Sequence, residues 1–280
     1  MRESYAPVAE MLDIPGRHRP RTSAAVWKKE PEGWLSRLEA VFKQQSREAR
    51  PSIFFRADDI GVAGKPFEAL CRLFRHHSIP LAMAVVPAWL NDGRREQLFE
   101  HAGLEEPLWG WHQHGWRHVN WQRVGKKSEF GEQRPIDRQI RDISQGRDKM
   151  RKTFGDRFLP IFTPPWNRLS STTLTALDRL DFKAVSMGNR LPGNPNHRVS
   201  LKHLKIHLDL HTRKGSDPVS DYEALLAEIA ALMTKREPVG IMIHHQRMTI
   251  FAFEFLHELL SLLKDAVKAR FFGFDDFLRD

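Results

Sequence analysis

A chain of 280 residues, 41% of them hydrophobic, is long enough for one large domain with a substantial core or for two small ones. Its formal net charge of +9 favours acidic partners such as an anionic substrate, but Lys and Arg are spread along the chain without a zinc-finger or RNP-type motif, so no dedicated nucleic-acid module is expected. A single cysteine, Cys71, excludes a disulfide framework and a cysteine-built zinc site; with no long apolar run and no apolar signal core near the start, no transmembrane helix is expected and the cytoplasm is the expected location.

Residues 1–50 read as an N-terminal extension, irregular over the first thirty, with one helix over 32–45 marked by Trp34, Leu35, Leu38, Val41 and Phe42. From residue 51 to 280 a strand–helix rhythm predicts a single domain. Strands are expected at 52–57, 80–86, 108–113, 158–163, 182–187, 203–211 and 238–245. Helices are expected at 66–77, 94–103, 136–154, 173–180, 221–235 and 251–268. Such alternation with short connections implies parallel strands and right-handed crossovers. The expected fold is α/β, a distorted or incomplete (β/α) barrel of about seven parallel strands, with a doubly wound open sheet as the alternative. No G-x-G-x-x-G and no Walker A sequence supports nucleotide binding.

The polar residues fall at the carboxyl ends of the strands, where parallel α/β folds place their sites. "SIFF" runs into "RADD" with Asp58 and Asp59, "LWGW" into "HQHGWRH", "LPIF" into "TPPWN", "LKIHL" into Asp209 and His211, and "VGIMI" into His244 and His245. The chain contains three H-x-x-x-H pairs where random order gives about 0.7, so the pattern alone is weak. The pairs among His203, His207 and His211 lie in a predicted strand, where a four-residue step spans roughly 13 Å and prevents a shared ion. His114 and His118 follow a strand end, and one helical turn would bring them within a metal bite.

Asp58 and Asp59 at a strand-to-loop junction read either as a turn cap or as a divided pair, one carboxylate holding a metal and the other accepting a proton from water. A histidine at another strand end suits the matching acid. The consecutive prolines of "FTPPWN" stiffen the backbone and set Trp166 beside a pocket, or simply make a rigid loop. Trp111, Trp116 and Trp121 are candidates for a sugar-stacking surface, with core packing preferred for at least two.

Together "RADDIG", "HGWRH", "FTPPWN", "HLDLH" and "GIMIHH" resemble, in order and approximate spacing, the five motifs of the polysaccharide deacetylases with a NodB-like domain, carbohydrate esterase family four, over about residues 52–265. The likeness is to a divergent branch whose last motif reads as a double histidine. The resemblance implies a distorted (β/α) barrel and hydrolysis of an N- or O-acetyl group from a carbohydrate, possibly anionic or lipid-linked. It implies a divalent metal, first Zn²⁺, with Co, Ni or Mn as alternatives. Carried over, Asp58 is the general base, Asp59, His114 and His118 the metal ligands, and His244 the general acid, with His245 as its competitor. Trp166, Pro165, Asn167, Asp209 and His245 then form the substrate side, Asp209 also tuning the acid–base pair.

Three departures stand out. Thr163 occupies the place of the family's base-steadying arginine, for which Arg56 or Arg168 are the candidate substitutes. The fourth motif lacks its tryptophan, and no aspartate follows the final histidine. A metal hydrolase of another amide or ester, and a catalytically silent sugar- or polyanion-binding protein, are the competing readings.

Overall fold

A computed structural model describes residues 12–14, 18, 20, 22–45, 50–193 and 200–279. The irregular start expected over residues 1–30 falls largely outside the described residues. The elements, in chain order, are α1 (Trp34–Lys43), β1 (Ser52–Ile60), α2 (Lys65–His77), β2 (Leu81–Val85), α3 (Asp92–Ala102), β3 (Trp109–His114), α4 (Ile136–Phe154) and β4 (Phe158–Thr163). They continue with α5 (Ser171–Arg179), β5 (Ala184–Met187), β6 (Lys202–Asp209), α6 (Pro218–Met233), β7 (Val239–Ile243), α7 (Ile250–Asp265) and β8 (Arg270–Phe271). The strand order is β2-β3-β4-β5-β6-β7-β1-β8, and β1 also pairs with β2. Seven strands therefore form the closed parallel sheet of a (β/α) barrel, and β8 is an outer strand beside β1.

Most of the barrel strands are apolar runs buried on both faces, as parallel strands covered by helices must be. Every residue of β2, β3, β5 and β7 is buried. β6 alone alternates, with Leu204, Ile206 and Leu208 buried between more exposed neighbours. β1 is longer than expected, so Asp58 and Asp59 lie within the strand rather than in the loop beyond it. Capping fixes several helix starts: the Asn91, Ser170, Asp217 and Thr249 side chains each accept a hydrogen bond from a backbone N–H of the first turn.

Contacts group the chain into two compact units, with β1 and β6 running through both. The first comprises Met1–Phe55, Ala63–Pro80 and His207–Phe272. Its core gathers the apolar faces of α2, α7 and β7, including Leu70, Phe74, Phe255, Leu256, Leu260 and Ile241. Trp27, in a single 3-10 turn before α1, is buried there. Its ring meets Phe251 and Phe255, its indole N–H donates to the Leu210 carbonyl at 2.7 Å, and its carbonyl accepts from Thr249 Oγ1 at 2.6 Å. The helix expected over 32–45 is present and buries Trp34, Leu38 and Phe42.

The second unit comprises Arg56–Val62, Leu81–Ile206 and Gly273–Asp280. Helix α4 lies against β3 with Gly146 at the contact: a Cβ there would meet Gln113 Nε2 at 2.2 Å. Trp111 is fully buried and stacks on Phe154, ring centroids 4.7 Å apart, so it belongs to the core. Trp116 is half-buried and Trp121 is 46% exposed, with the Arg134 guanidinium 5.1 Å from its ring centroid.

Candidate metal centre

The second unit carries the centre. Strand β1 places Arg56 and Asp58 two residues apart, hence on one face. The two side chains form a fork: Arg56 Nε donates to Asp58 Oδ1 at 2.7 Å and its Nη2 to Oδ2 at 2.8 Å. Arg56 is fully buried and Asp58 only 3% exposed, so the pair is held away from water. The remaining guanidinium donors are also used, on the Ser186 carbonyl and hydroxyl and on Asn167 Oδ1. Arg56 is thus the arginine that steadies Asp58. Arg168 donates instead to the Lys127 carbonyl.

Within β1, Asp59 has φ +61. Asp59 Oδ1 lies 3.4 Å from His114 Nε2 and 3.3 Å from His118 Nε2. One ligand atom from each of the three residues falls within 4.8 Å of the others. A metal bonded at 2.0–2.1 Å in tetrahedral geometry sets its ligand atoms about 3.3–3.5 Å apart, so both measured edges fit such an ion.

The histidines are held by backbone. His114 Nδ1 donates to the Thr163 carbonyl at 3.0 Å, which leaves the Nε2 lone pair facing Asp59. The parallel pairing of His114 with Thr163 across β3 and β4 sets this contact. The Thr163 hydroxyl is bonded to His112 Nε2 at 2.9 Å, so Thr163 supports histidines where an arginine was expected to support a base. Burial opposes a charge on His114, but the Asp59 and Asp58 carboxylates outweigh it and raise its pKa. Burial and the neighbouring His114 hold His118 down to about 4.

The helical turn expected to join His114 and His118 is absent. His118 lies in a loop with φ +60, reached through Gly115 at φ +57. The loop is folded around the buried Glu129 carboxylate, which accepts from the backbone N–H of Trp116 (3.2 Å), Arg117 (2.7 Å) and His118 (3.1 Å). Burial raises the Glu129 pKa even against these three donors. A Cβ at position 115 would lie 2.3 Å from Glu129 Oε2 and 2.6 Å from Pro165 Cγ, so glycine is required both by conformation and by space. Glu129 was not legible as a site residue because it stands in the polar stretch "KKSEFGEQ" without any metal or catalytic spacing.

The "FTPPWN" loop completes this side. Pro165 is buried against Gly115 and packs the loop. Trp166 and Asn167 both have positive φ, 57 and 54. The half-buried Trp166 ring sits 4.4 Å from the His118 ring. Asn167 accepts from Arg56 and from the Gly188 N–H at 3.1 Å, which makes it a brace of the arginine. Four of the eight non-glycine residues with positive φ among the described residues are Asp59, His118, Trp166 and Asn167. Each such conformation costs about 1–3 kcal/mol, and clustering of that kind marks functional sites.

The remaining predicted site residues belong to the first unit. His244 follows β7, with Nδ1 4.0 Å from Asp209 Oδ1, beyond hydrogen-bond reach. Asp209, at the end of β6, instead accepts from the His211 and Thr212 N–H groups at 3.0 and 2.9 Å and from the Thr212 hydroxyl. The buried His211 accepts the His244 N–H at Nδ1, 3.2 Å away. His245 is 1% exposed and packs edge-on to Phe67, so it does not present a substrate surface. His203 and His207 are engaged separately, with the Met187 carbonyl and with Glu237.

No family model and no curated protein matches the chain by sequence. Solved structures match it by fold. A protein assigned as a polysaccharide deacetylase from Mycobacterium smegmatis superposes with a TM-score of 0.58 at 13% identity, over 83% of this chain and 91% of that one. A family 4 acetyl xylan esterase from Clostridium thermocellum, in complex with a cobalt ion, gives 0.51 at 13% identity over 81% and 90%. A carbohydrate esterase family 4 pseudoenzyme from Bacillus anthracis gives 0.50 at 8% identity over 82% and 65%. The chain therefore has the NodB-like fold of the carbohydrate esterase family 4 polysaccharide deacetylases.

Proposed function

We propose that this protein is a divalent-metal-dependent hydrolase that removes an N- or O-linked acetyl group from a carbohydrate. The observation that carries the reading is the set of Asp59, His114 and His118, with spacings fit for one ion, beside a second carboxylate, Asp58, clamped by Arg56. Two imidazole nitrogens and one carboxylate oxygen suit Zn²⁺ first and accept Co, Ni or Mn. The cobalt ion in the structurally similar acetyl xylan esterase supports a divalent metal. Bound there, the metal supplies Lewis-acid polarisation of the acetyl carbonyl.

The chain's own residues do the rest. Asp58 takes the proton from water as its oxygen bonds to the acetyl carbon, and the Arg56 fork holds the carboxylate oriented for it. His244 gives a proton to the departing sugar nitrogen or oxygen as the bond to the acetyl carbon breaks, releasing acetate. This role rests on the resemblance and on its place after a barrel strand, and the burial of His245 supports His244 over its neighbour. Trp166 offers its half-buried face to a sugar ring, while Asn167 and Pro165 act through Arg56 and Gly115. Asp209 orders the β6 end beside His244. The charge of +9 favours an anionic or lipid-linked substrate.

The test is acetate release from acetylated oligosaccharides by the metal-loaded protein. Asp58→Asn is expected to lower turnover by about 10²–10⁴-fold while metal content is kept, the range of a lost general base. His114→Ala is expected to lose both. Full activity in Asp58→Asn refutes the base assignment. Absence of acetate release from every substrate tried, with metal bound, favours the silent binding protein.

A further inference from the structure

A second group of ligands lies in the first unit and takes no part in the proposed reaction. His76 and His77 close α2, and His257 lies on α7, 180 residues from His77. One ring nitrogen from each falls within 4.8 Å of the others. His77 Nε2 and His257 Nδ1 are 3.1 Å apart, close to the edge of about 3.3 Å that a tetrahedral ion bonded at 2.0–2.1 Å imposes. His77 and His257 are buried, at 5% and 8% exposure, whereas His76 is exposed and reaches the same point from outside. We propose that His76, His77 and His257 form a second divalent-metal site, of the Zn²⁺ class, that staples the end of α2 to α7.

Several features favour an ion there. The His77–His257 contact uses one proton between two nitrogens. An ion replaces it when both rings carry their protons on the far nitrogens, with no net charge change on the rings. The site lies at a helix C-terminus, where carbonyl dipoles favour a cation.

A cavity of about 520 Å³ adjoins the three histidines, with Glu258 and Asp265 on its wall, and gives room for a water or a carboxylate as fourth ligand. Lys264 also lines it and opposes a cation, but its ammonium is tied to the His77 carbonyl at 3.0 Å. Three imidazoles select Zn²⁺, Co²⁺ or Ni²⁺ over Mg²⁺ and Ca²⁺.

The proposal is independent of the hydrolase reading and is tested without it. Full-length His114→Ala, in which the first centre is broken, is stripped of metal and titrated with Zn²⁺ and with Co²⁺. One ion per chain at micromolar concentration is expected, with the visible absorption of tetrahedral Co²⁺. Adding His76→Ala, an exposed position whose loss leaves the core intact, is expected to weaken that binding at least 100-fold. His257→Gln is expected to do the same. Binding only at millimolar metal in the His114→Ala protein, or unchanged affinity after His76→Ala, overturns the proposal.

Discussion

At the scale of single residues, the proposed metal site depends on Glu129 as much as on its candidate ligands. The His118 imidazole can meet Asp59 only because three consecutive N–H groups converge on one buried carboxylate. Glu129→Gln keeps one acceptor oxygen but replaces the other with a donor facing backbone N–H groups. We expect about 10–100-fold weaker metal binding, the usual effect of losing an outer partner, with the fold retained. Metal titration beside circular dichroism checks this.

Motif order singled out Asp59, His114 and His118 as the candidate ligands, and one ligand atom from each lies within 4.8 Å of the others. Their support was not legible in the sequence. Arg56 could be named only as one of two substitutes, because an arginine two residues before an aspartate on a strand is common. The φ values of Asp59 and His118, and the role of Thr163, depend on backbone packing that no local pattern encodes.

At the scale of elements, periodicity located the barrel strands and all seven α-helices among the described residues within a few residues, because parallel buried strands and amphipathic helices leave opposite signatures. The failures came at junctions. Sequence placed a helical turn after β3 where a glycine-led loop stands, and ended β1 before the aspartates. It also gave no sign that Trp27 would be a core residue, since its partners Leu210, Phe251 and Phe255 lie far along the chain. Trp27→Ala removes a fully buried indole and its hydrogen bond. A loss of about 3–5 kcal/mol is expected, measured by urea unfolding.

At the scale of the whole molecule, stability follows the buried imidazoles. His211 is buried, and that burial, with His244, His245 and Arg247 nearby, holds its pKa well below the usual 6.5. A folded-state pKa below the unfolded one means that the unfolded chain binds the extra proton. The contribution is therefore complete above about pH 6.5 and is lost progressively as the pH falls below it. Metal-free protein is expected to lose stability on acidification through this window. His211→Gln is expected to show a shallower loss, read as the change of urea midpoint with pH. No helix among the described residues is long and apolar enough to cross a membrane.

The Arg56–Asp58 fork has a practical corollary for protein engineering. Clamp and carboxylate are printed on one strand, so neither is lent by the neighbouring "FTPPWN" segment except through the Asn167 brace. Libraries randomising position 166 would therefore vary what the mouth of the centre admits while the proton-accepting pair stays intact. On the proposed function, the part that selects is then separate from the part that reacts, and re-targeting needs changes only to the former.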